Sequence, residues 1–363
     1  MTVVLISLIV LFLYAVLIIS FIKGWSAIPD YEAENEDNRI HVTILTACKN
    51  ESAHLPALLQ AINHQTYRNF QCIVIDDHST DGTWEYLNEA VTVFPQLKQL
   101  KNKGIGKKEA IKTGIEQTNS RLIITLDADC IPSPDWLSTI VTFFHKEFTD
   151  LVICPVRMTS DGSFLQDFQQ FEFAALIASG AGAAGVGMPI LCNGANLAFR
   201  RQAWLNNADN LHFEEPGGDD IFLLQSIKKS GGPVRFLKSK AAMVETAPKK
   251  TLWEFIRQRR RWAGKKAAYA DWQLAATALI VFLASFTILF NFMLAISDPA
   301  RLALTSCLFL MKWMIDLSFF MRIKDFFDLK KVDGNSLVFS LFYPLYIVFT
   351  AIFSLTGKRR SIW

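Results

Sequence analysis

The chain has 363 residues, 51% of them hydrophobic, and a formal net charge of +3. That length accommodates one soluble domain of roughly 100–200 residues together with membrane segments. A charge so near neutral argues against nucleic acid as a partner, because that role calls for a strongly basic stripe. The six cysteines, Cys48, Cys72, Cys130, Cys154, Cys192 and Cys307, form no Cys-x-x-Cys pair and sit mostly in apolar runs. They read as reduced, buried thiols in a reducing compartment rather than as a disulfide or zinc framework.

Val3 to Ile22 is free of charge and ends at Lys23, about the 20 residues needed to cross a hydrocarbon core. No basic residue precedes it and no Ala-x-Ala site follows, so it reads as an anchor over residues 1–24 rather than a cleaved leader. From His41 to about Thr246 short apolar strands alternate with amphipathic helical patterns, which predicts a parallel sheet covered by helices in a domain spanning 38–248. Val42 to Thr46 is the first strand, and Pro56 to Ile62 a helix with proline in its first turn. The strands Phe70 to Ile75 and Leu122 to Leu126 run straight into Asp76-Asp77 and Asp127. Carboxyl ends of strands are where open α/β sheets bind ligands.

Asp76-Asp77 followed by Ser79-Thr80-Asp81-Gly82 reads either as a ligand site or as a turn with a helix cap. Phe164 to Phe171 has apolar residues at helical spacing, suited to an interfacial helix or to core packing. Ala178 to Gly187 is a run of small residues, expected to pack closely or to form a flexible loop. A loop from Glu214 to Asp220 should open a helix at Ile221, where acidic residues are favoured by the helix dipole whatever else they do.

Gln258, Arg261 and Trp262 fall at i, i+3 and i+4, on one face of an amphipathic interfacial helix expected over 249–268. Arg257, Arg259, Arg260, Lys265 and Lys266 would give the same helix affinity for anionic membrane lipid. Three further spans are expected near Leu274 to Ile296, Leu302 to Met321 and Leu337 to Leu355, a C-terminal bundle over 272–356. Arg322, Lys324, Lys330 and Lys331 place the loop before the last span in the cytoplasm. With Lys23 also inside, the soluble domain faces the cytoplasm, which suits a plasma or inner membrane. Lys358, Arg359 and Arg360 then fall outside, against the same rule, and Pro344 marks the last span as the place for a broken or re-entrant helix. Lys312 and Asp316, one turn apart within a span, should pair toward the bundle interior.

The chemistry follows from these residue types. Asp127 and Asp129, two apart at a strand end, can share Mg2+ or Mn2+ with a substrate diphosphate, since such cations use only one or two protein carboxylates. Arg261 forks onto phosphate, and the Trp262 indole offers a flat apolar face to a sugar ring. Asp220, with Asp219 beside it, is placed to take the proton of an attacking hydroxyl. The ordered set predicts a membrane enzyme that handles a nucleotide-activated sugar.

These motifs, from His41 to Trp262, resemble those of the membrane-bound members of glycosyltransferase family 2, which includes cellulose, chitin, hyaluronan and poly-N-acetylglucosamine synthases and, more distantly, ceramide glucosyltransferases. The resemblance implies a GT-A-type, Rossmann-like α/β fold with one N-terminal and about three C-terminal transmembrane helices. It implies that Thr46 to Glu51 and Asp77 hold uridine and that Lys107 approaches the donor. Asp127 and Asp129 would hold the metal, with Asp129 the principal ligand, and Asp220 would act as base. Gln258 and Arg261 would bind diphosphate, while Trp262 and, more loosely, Asn193 and Gly194 would line the acceptor site. The implied reaction is an inverting transfer from a UDP-sugar to a growing polysaccharide or a lipid-linked acceptor, with a possible accessory membrane subunit. A single-transfer glycolipid enzyme, a nucleotidyl or phosphoryl transferase, and a non-enzymatic sugar-nucleotide-binding scaffold remain alternatives. The absence of a Gly-x-x-x-x-Gly-Lys-Ser/Thr loop weighs against a P-loop machine.

Overall fold

A computed structural model describes residues 2–33, 40–213, 215, 217–264, 270–330 and 332–356. Glu214, Pro216, Lys265, Lys266, Lys331, Lys358, Arg359 and Arg360 lie outside the described residues, as does the expected start of the soluble domain at 38. The chain divides into two units, one holding residues 28–159 and 189–247, the other 1–27, 160–188 and 248–359.

The first unit is built on a seven-stranded sheet. Its strands are β1 (Val42–Cys48), β2 (Phe70–Asp76), β3 (Leu97–Lys101), β4 (Leu122–Leu126), β6 (Leu151–Ile153), β8 (Asn196–Arg200) and β9 (Val234–Phe236), in the order β3-β2-β1-β4-β8-β6-β9. Every residue of β1 and β4 is buried, as expected of parallel strands covered on both faces. Helices α2 (Leu55–Asn63), α3 (Thr83–Val93), α4 (Lys107–Glu116), α5 (Trp136–Lys146), α7 (Arg201–Asn207) and α8 (Asp219–Lys229) join or flank these strands. The sheet is mixed rather than wholly parallel, because β8 runs antiparallel to both β4 and β6. A buried apolar run such as Asn196 to Phe199 carries no sign of strand direction. A small sheet of β5 (Cys130–Pro132), β10 (Val244–Thr246) and β7 (Val156–Met158) completes the unit.

Asn196 secures the junction of these layers. Its Oδ1 accepts the Trp136 indole N–H at 3.0 Å, and its Nδ2 donates to the carbonyls of Pro155 and Ala242 at 2.8 and 2.9 Å. Fully buried, with both amide hydrogens committed to the backbone, Asn196 belongs to the core. Of the six thiols, those of Cys48, Cys72, Cys130 and Cys154 are buried, whereas Cys192 is half-buried and Cys307 exposed; none forms a disulfide. Burial pushes the Cys72 thiol up to about 12, which keeps it unreactive.

The second unit is helical. Among its described residues, four helices are long and apolar enough to cross a membrane: α1 (Thr2–Ala27), α10 (Trp272–Ser297), α11 (Leu302–Phe327) and α12 (Val332–Thr356). The last continues through Pro344 without a break, although proline removes the hydrogen bond to the carbonyl four residues earlier. Lys312 and Asp316 pair at 2.6 Å, Tyr14 Oη donates to Asp316 at 2.6 Å, and the ammonium lies 5.0 and 5.1 Å from the Tyr14 and Tyr343 rings. The pair is thus matched within the bundle, as a charge in such a place requires. Asn291 Nδ2 donates to Ser7 Oγ at 3.0 Å and links α10 to α1.

Two more helices belong to this unit, α6 (Phe164–Gly185) and α9 (Leu252–Ala263). The small residues of α6 meet α1 at a backbone crossing, not in a loop. A Cβ on Gly24 would stand 1.8 Å from the Gly182 carbonyl oxygen, and one on Gly182 would stand 2.4 Å from that of Phe21. Only residues without a side chain permit that approach. The aromatic end of α6 packs inward, with Phe171 against Phe320 and Phe339 and Phe168 against Phe255 and Tyr346. Gln169 accepts from the backbone N–H of Lys249 and donates to its carbonyl, both at 2.9 Å, and so fixes the approach to α9.

Candidate active site

The sheet reverses direction of build-out between β1 and β4, and the loops at the carboxyl ends of those strands and of β2 carry the candidate site. The loop after β1 is fastened to the loop after β2. The Asn50 N–H donates to Ser79 Oγ at 2.8 Å, the Thr80 N–H to Asn50 Oδ1 at 2.8 Å, and the Glu51 N–H to Thr83 Oγ1 at 2.9 Å. Asp81 accepts from Ser52 and Thr83. Against the opposing effect of burial, hydrogen bonds from Thr83 and Ser52 draw its carboxyl down to about 2. Asp81 therefore serves as a turn and cap residue ahead of α3.

Asp77 is fully buried at the hub of these loops. Both of its oxygens accept from the Gly106 N–H at 3.0 Å, Asn102 Nδ2 donates to Oδ1, and Lys49 Nζ stands 3.6 Å away. Gly106 is the residue before α4 and has φ 93°, a conformation closed to most side chains. Expected as a uridine contact, Asp77 is observed holding the start of the helix that carries Lys107. Thr46 is likewise fully buried, and its hydroxyl has no hydrogen-bond partner among the described residues.

Lys107 reaches the centre of the site. Its Nζ lies 2.6 Å from Asp127 Oδ1 and 3.5 Å from Asp219 Oδ2. Burial alone would lower its pKa, but Asp127, Asp219 and Asp220 outweigh that and raise it, so the ammonium stays charged. Asp220 Oδ2 accepts from the Gly194 N–H at 3.0 Å, and the Gly194 carbonyl is held by Thr125 Oγ1 at 2.9 Å. Asn193 caps the same loop, its Oδ1 accepting from the Ala195 N–H at 2.9 Å. Asp219 and Asp220 border an apolar pocket lined by Ile111, Phe199, Trp204 and Leu223, and they occupy the first turn of α8 rather than the loop before it. Lys108, the neighbour of Lys107, turns the other way and donates to the carbonyls of His212 and Glu215 at 2.6 and 2.9 Å, tying the approach to α8 to α4.

Asp127 and Asp129 lie in the turn between β4 and β5, closed by the Cys130 N–H on the Asp127 carbonyl at 3.1 Å, not on the strand itself. The Glu51 carboxyl is raised by its own burial, against the lowering effect of His54 at 2.6 Å, and further by the charges of Asp129 and Asp127. Among the described residues no set of three His, Cys, Asp or Glu side chains could hold a metal ion. Asp127 and Asp129 are nonetheless hard oxygen donors, and such a pair fits magnesium or manganese when water and phosphate oxygens complete the shell.

In the helical unit, Arg261 is exposed on α9 while Gln258 and Trp262 are half-buried. Arg259, expected to face lipid with its basic neighbours, is instead 3% exposed and paired with Glu172 of α6. Lys265 and Lys266 of the same expected basic face lie outside the described residues. Sequence reasoning did not single out Glu172. Its signal is a lone carboxylate inside the aromatic run Phe168 to Phe173, where a buried charge demands a partner.

Residues 43–205 match the model of glycosyl transferase family 2. The matched residues, under half of the chain, carry a family 2 glycosyltransferase domain. This domain is 35% identical over 105 residues to an undecaprenyl-phosphate 4-deoxy-4-formamido-L-arabinose transferase of Aeromonas hydrophila, covering 28% of this chain and 32% of that one. It is 30% identical over 148 residues to a poly-β-1,6-N-acetyl-D-glucosamine synthase of Staphylococcus aureus, covering 39% and 35%. The chain thus spans about a third of the length of these curated relatives. A solved mannosyltransferase from Pyrobaculum calidifontis, bound to GDP-Man and Mn2+, superposes with a TM-score of 0.57 at 16% identity, covering 90% of this chain and 99% of that one. Glycosyltransferase domain and fold therefore agree.

Proposed function

We propose that the protein is an inverting membrane glycosyltransferase that moves a sugar from a UDP-sugar to a growing polysaccharide or a lipid-linked acceptor at the cytoplasmic face. The observation that carries this reading is the cluster of Lys107, Asp127, Gly194, Asp219 and Asp220, in which one half-buried ammonium stands among three carboxylates beside the carboxyl end of β4. An acceptor hydroxyl attacks the anomeric carbon as the bond to the diphosphate breaks, and the departing UDP keeps the bonding electron pair. Asp220 takes the hydroxyl proton, and the backbone N–H of Gly194 holds its carboxylate in place. Lys107 sets positive charge where the diphosphate gathers negative charge. Asp127 and Asp129 would hold Mg2+ or Mn2+, which when bound offsets the same charge. The family resemblance assigns diphosphate binding to Gln258 and Arg261, acceptor binding to Trp262 with Asn193 and Gly194, and donor contacts to Thr46, Glu51 and Asp77. Among the relatives, one is named for a polyprenyl-phosphate acceptor and one for a polymer product, which supports both acceptor classes.

The test is nucleotide release by the purified protein in lipid nanodiscs, with a panel of UDP- and GDP-sugars and either metal. The expected outcome is release with one UDP-sugar, lost on chelation and restored by Mn2+ or Mg2+. Asp220→Asn should lower turnover by ~10²–10⁴-fold, the range for a general base, while UDP affinity stays unchanged. Wild-type protein that neither binds nor turns over any nucleotide sugar would sink the reading.

A further inference from the structure

We propose that Arg259 is a positioning residue that orients Gln258 and Trp262, and that Glu172 and Tyr346 exist to hold it there. Within the helical unit its guanidinium touches Glu172, Gln258, Trp262 and Phe255, and Tyr346 braces it through Glu172. Nε and Nη2 donate to Glu172 Oε2 at 2.9 and 2.5 Å, and Nη1 donates to Gln258 Oε1 at 2.6 Å. The guanidinium carbon lies 4.2 Å from the centre of the Trp262 ring and 4.7 Å from that of Phe255. Tyr346 Oη donates to the other Glu172 oxygen at 2.8 Å. Three helices, α6, α9 and α12, therefore fix one planar cation.

The consequence for Gln258 follows from donor chemistry. Arginine has five N–H donors and no acceptor, so the amide end that meets it must be the oxygen. The NH2 end is then directed away from Arg259. An amide fixed in that sense presents a donor, which suits phosphate or sugar oxygens and not a sugar hydroxyl hydrogen. The planar cation also seats one side of the Trp262 indole, so the ring that the resemblance assigns to the acceptor is held by the same group. Lysine cannot replace this arrangement, because a single ammonium lacks the fork that reaches Glu172 and Gln258 together and cannot stack as a plane.

This inference rests on the roles proposed for Gln258 and Trp262, and its test separates the two. Arg259→Lys, Gln258→Ala, their double variant and the charge swap Glu172→Arg with Arg259→Glu are compared for melting temperature, UDP affinity, kcat and KM in nanodiscs. The swap restores a buried ion pair but sets a carboxylate against Gln258. We expect it to recover most of the melting temperature lost by either single substitution while kcat/KM stays at least ~10-fold below wild type, a loss of ~1.4 kcal/mol or more. Arg259→Lys should raise KM more than it lowers kcat, and should add less than twofold on the Gln258→Ala background. Full catalytic recovery in the swap, or additive losses in the double variant, would reduce Arg259 to a structural ion pair and overturn the proposal. A substrate-free readout covers failure of the transferase reading itself. In protein labelled with 5-fluorotryptophan, the Trp262 resonance, assigned by Trp262→Phe, should shift in Arg259→Lys and in the swap; an unmoved resonance would also overturn it.

Discussion

Asp77 illustrates how a carboxylate marked by its motif can be engaged by its own chain. It accepts the Gly106 N–H through both oxygens and takes a further bond from Asn102, so it governs where α4 begins and where Lys107 stands. Asp77→Asn puts an amide NH2 among donors, and leaving buried groups unmatched costs about 1–3 kcal/mol. The expected result is a lower melting temperature together with UDP binding weakened by ~5–10-fold, about 1 kcal/mol on the affinity scale, measured by calorimetry. Unchanged affinity would show that Lys107 does not depend on this anchor. Asp81 was legible in the sequence as a cap, because Asp before Gly and a helix is a turn signal. The core role of Asn196 was not, since nothing local reveals that Trp136, Pro155 and Ala242 converge on it.

Among the elements, the span helices were the most legible, because a run of about 20 apolar residues has few other uses. Pro344 proved a poor guide, as α12 runs through it. The small-residue run of α6 had two readings, and the partner helix decided between them: Gly24 and Gly182 let two backbones touch. Gly182→Leu should destabilise the helical unit by about 1–3 kcal/mol, the usual range for overpacking, toward the upper end because the obstructing atoms are backbone. Thermal unfolding in detergent reads this directly, and a variant with wild-type stability would contradict the crossing. The sequence placed a helix where α9 runs but misjudged the setting of its charge. Arg259 lies in the middle of a basic string, and only α6 and α12, distant in sequence, turn it inward.

For the whole molecule, the distribution of basic residues predicts a membrane orientation that labelling can test. In protein carrying Cys307→Ser, new cysteines at Lys23 and Arg322 should resist an impermeant maleimide in intact spheroplasts and react after permeabilisation, whereas Ser297→Cys should react from outside. Labelling of Lys23→Cys from outside would reverse the proposed face. By itself the sequence determined the strands that run into Asp76 and Asp127 and the four helices long and apolar enough to cross a membrane, because hydropathy period and turn chemistry act over a few residues. The family resemblance rests on the same short motifs. Only the tertiary structure decided that β8 runs against β4, that Lys107 stands among Asp127 and Asp219 while Asp77 holds its helix, and that α6 joins the apolar helices. Each of these depends on groups far apart in the chain, where hydrogen-bond satisfaction and close packing leave a single arrangement that no local pattern encodes.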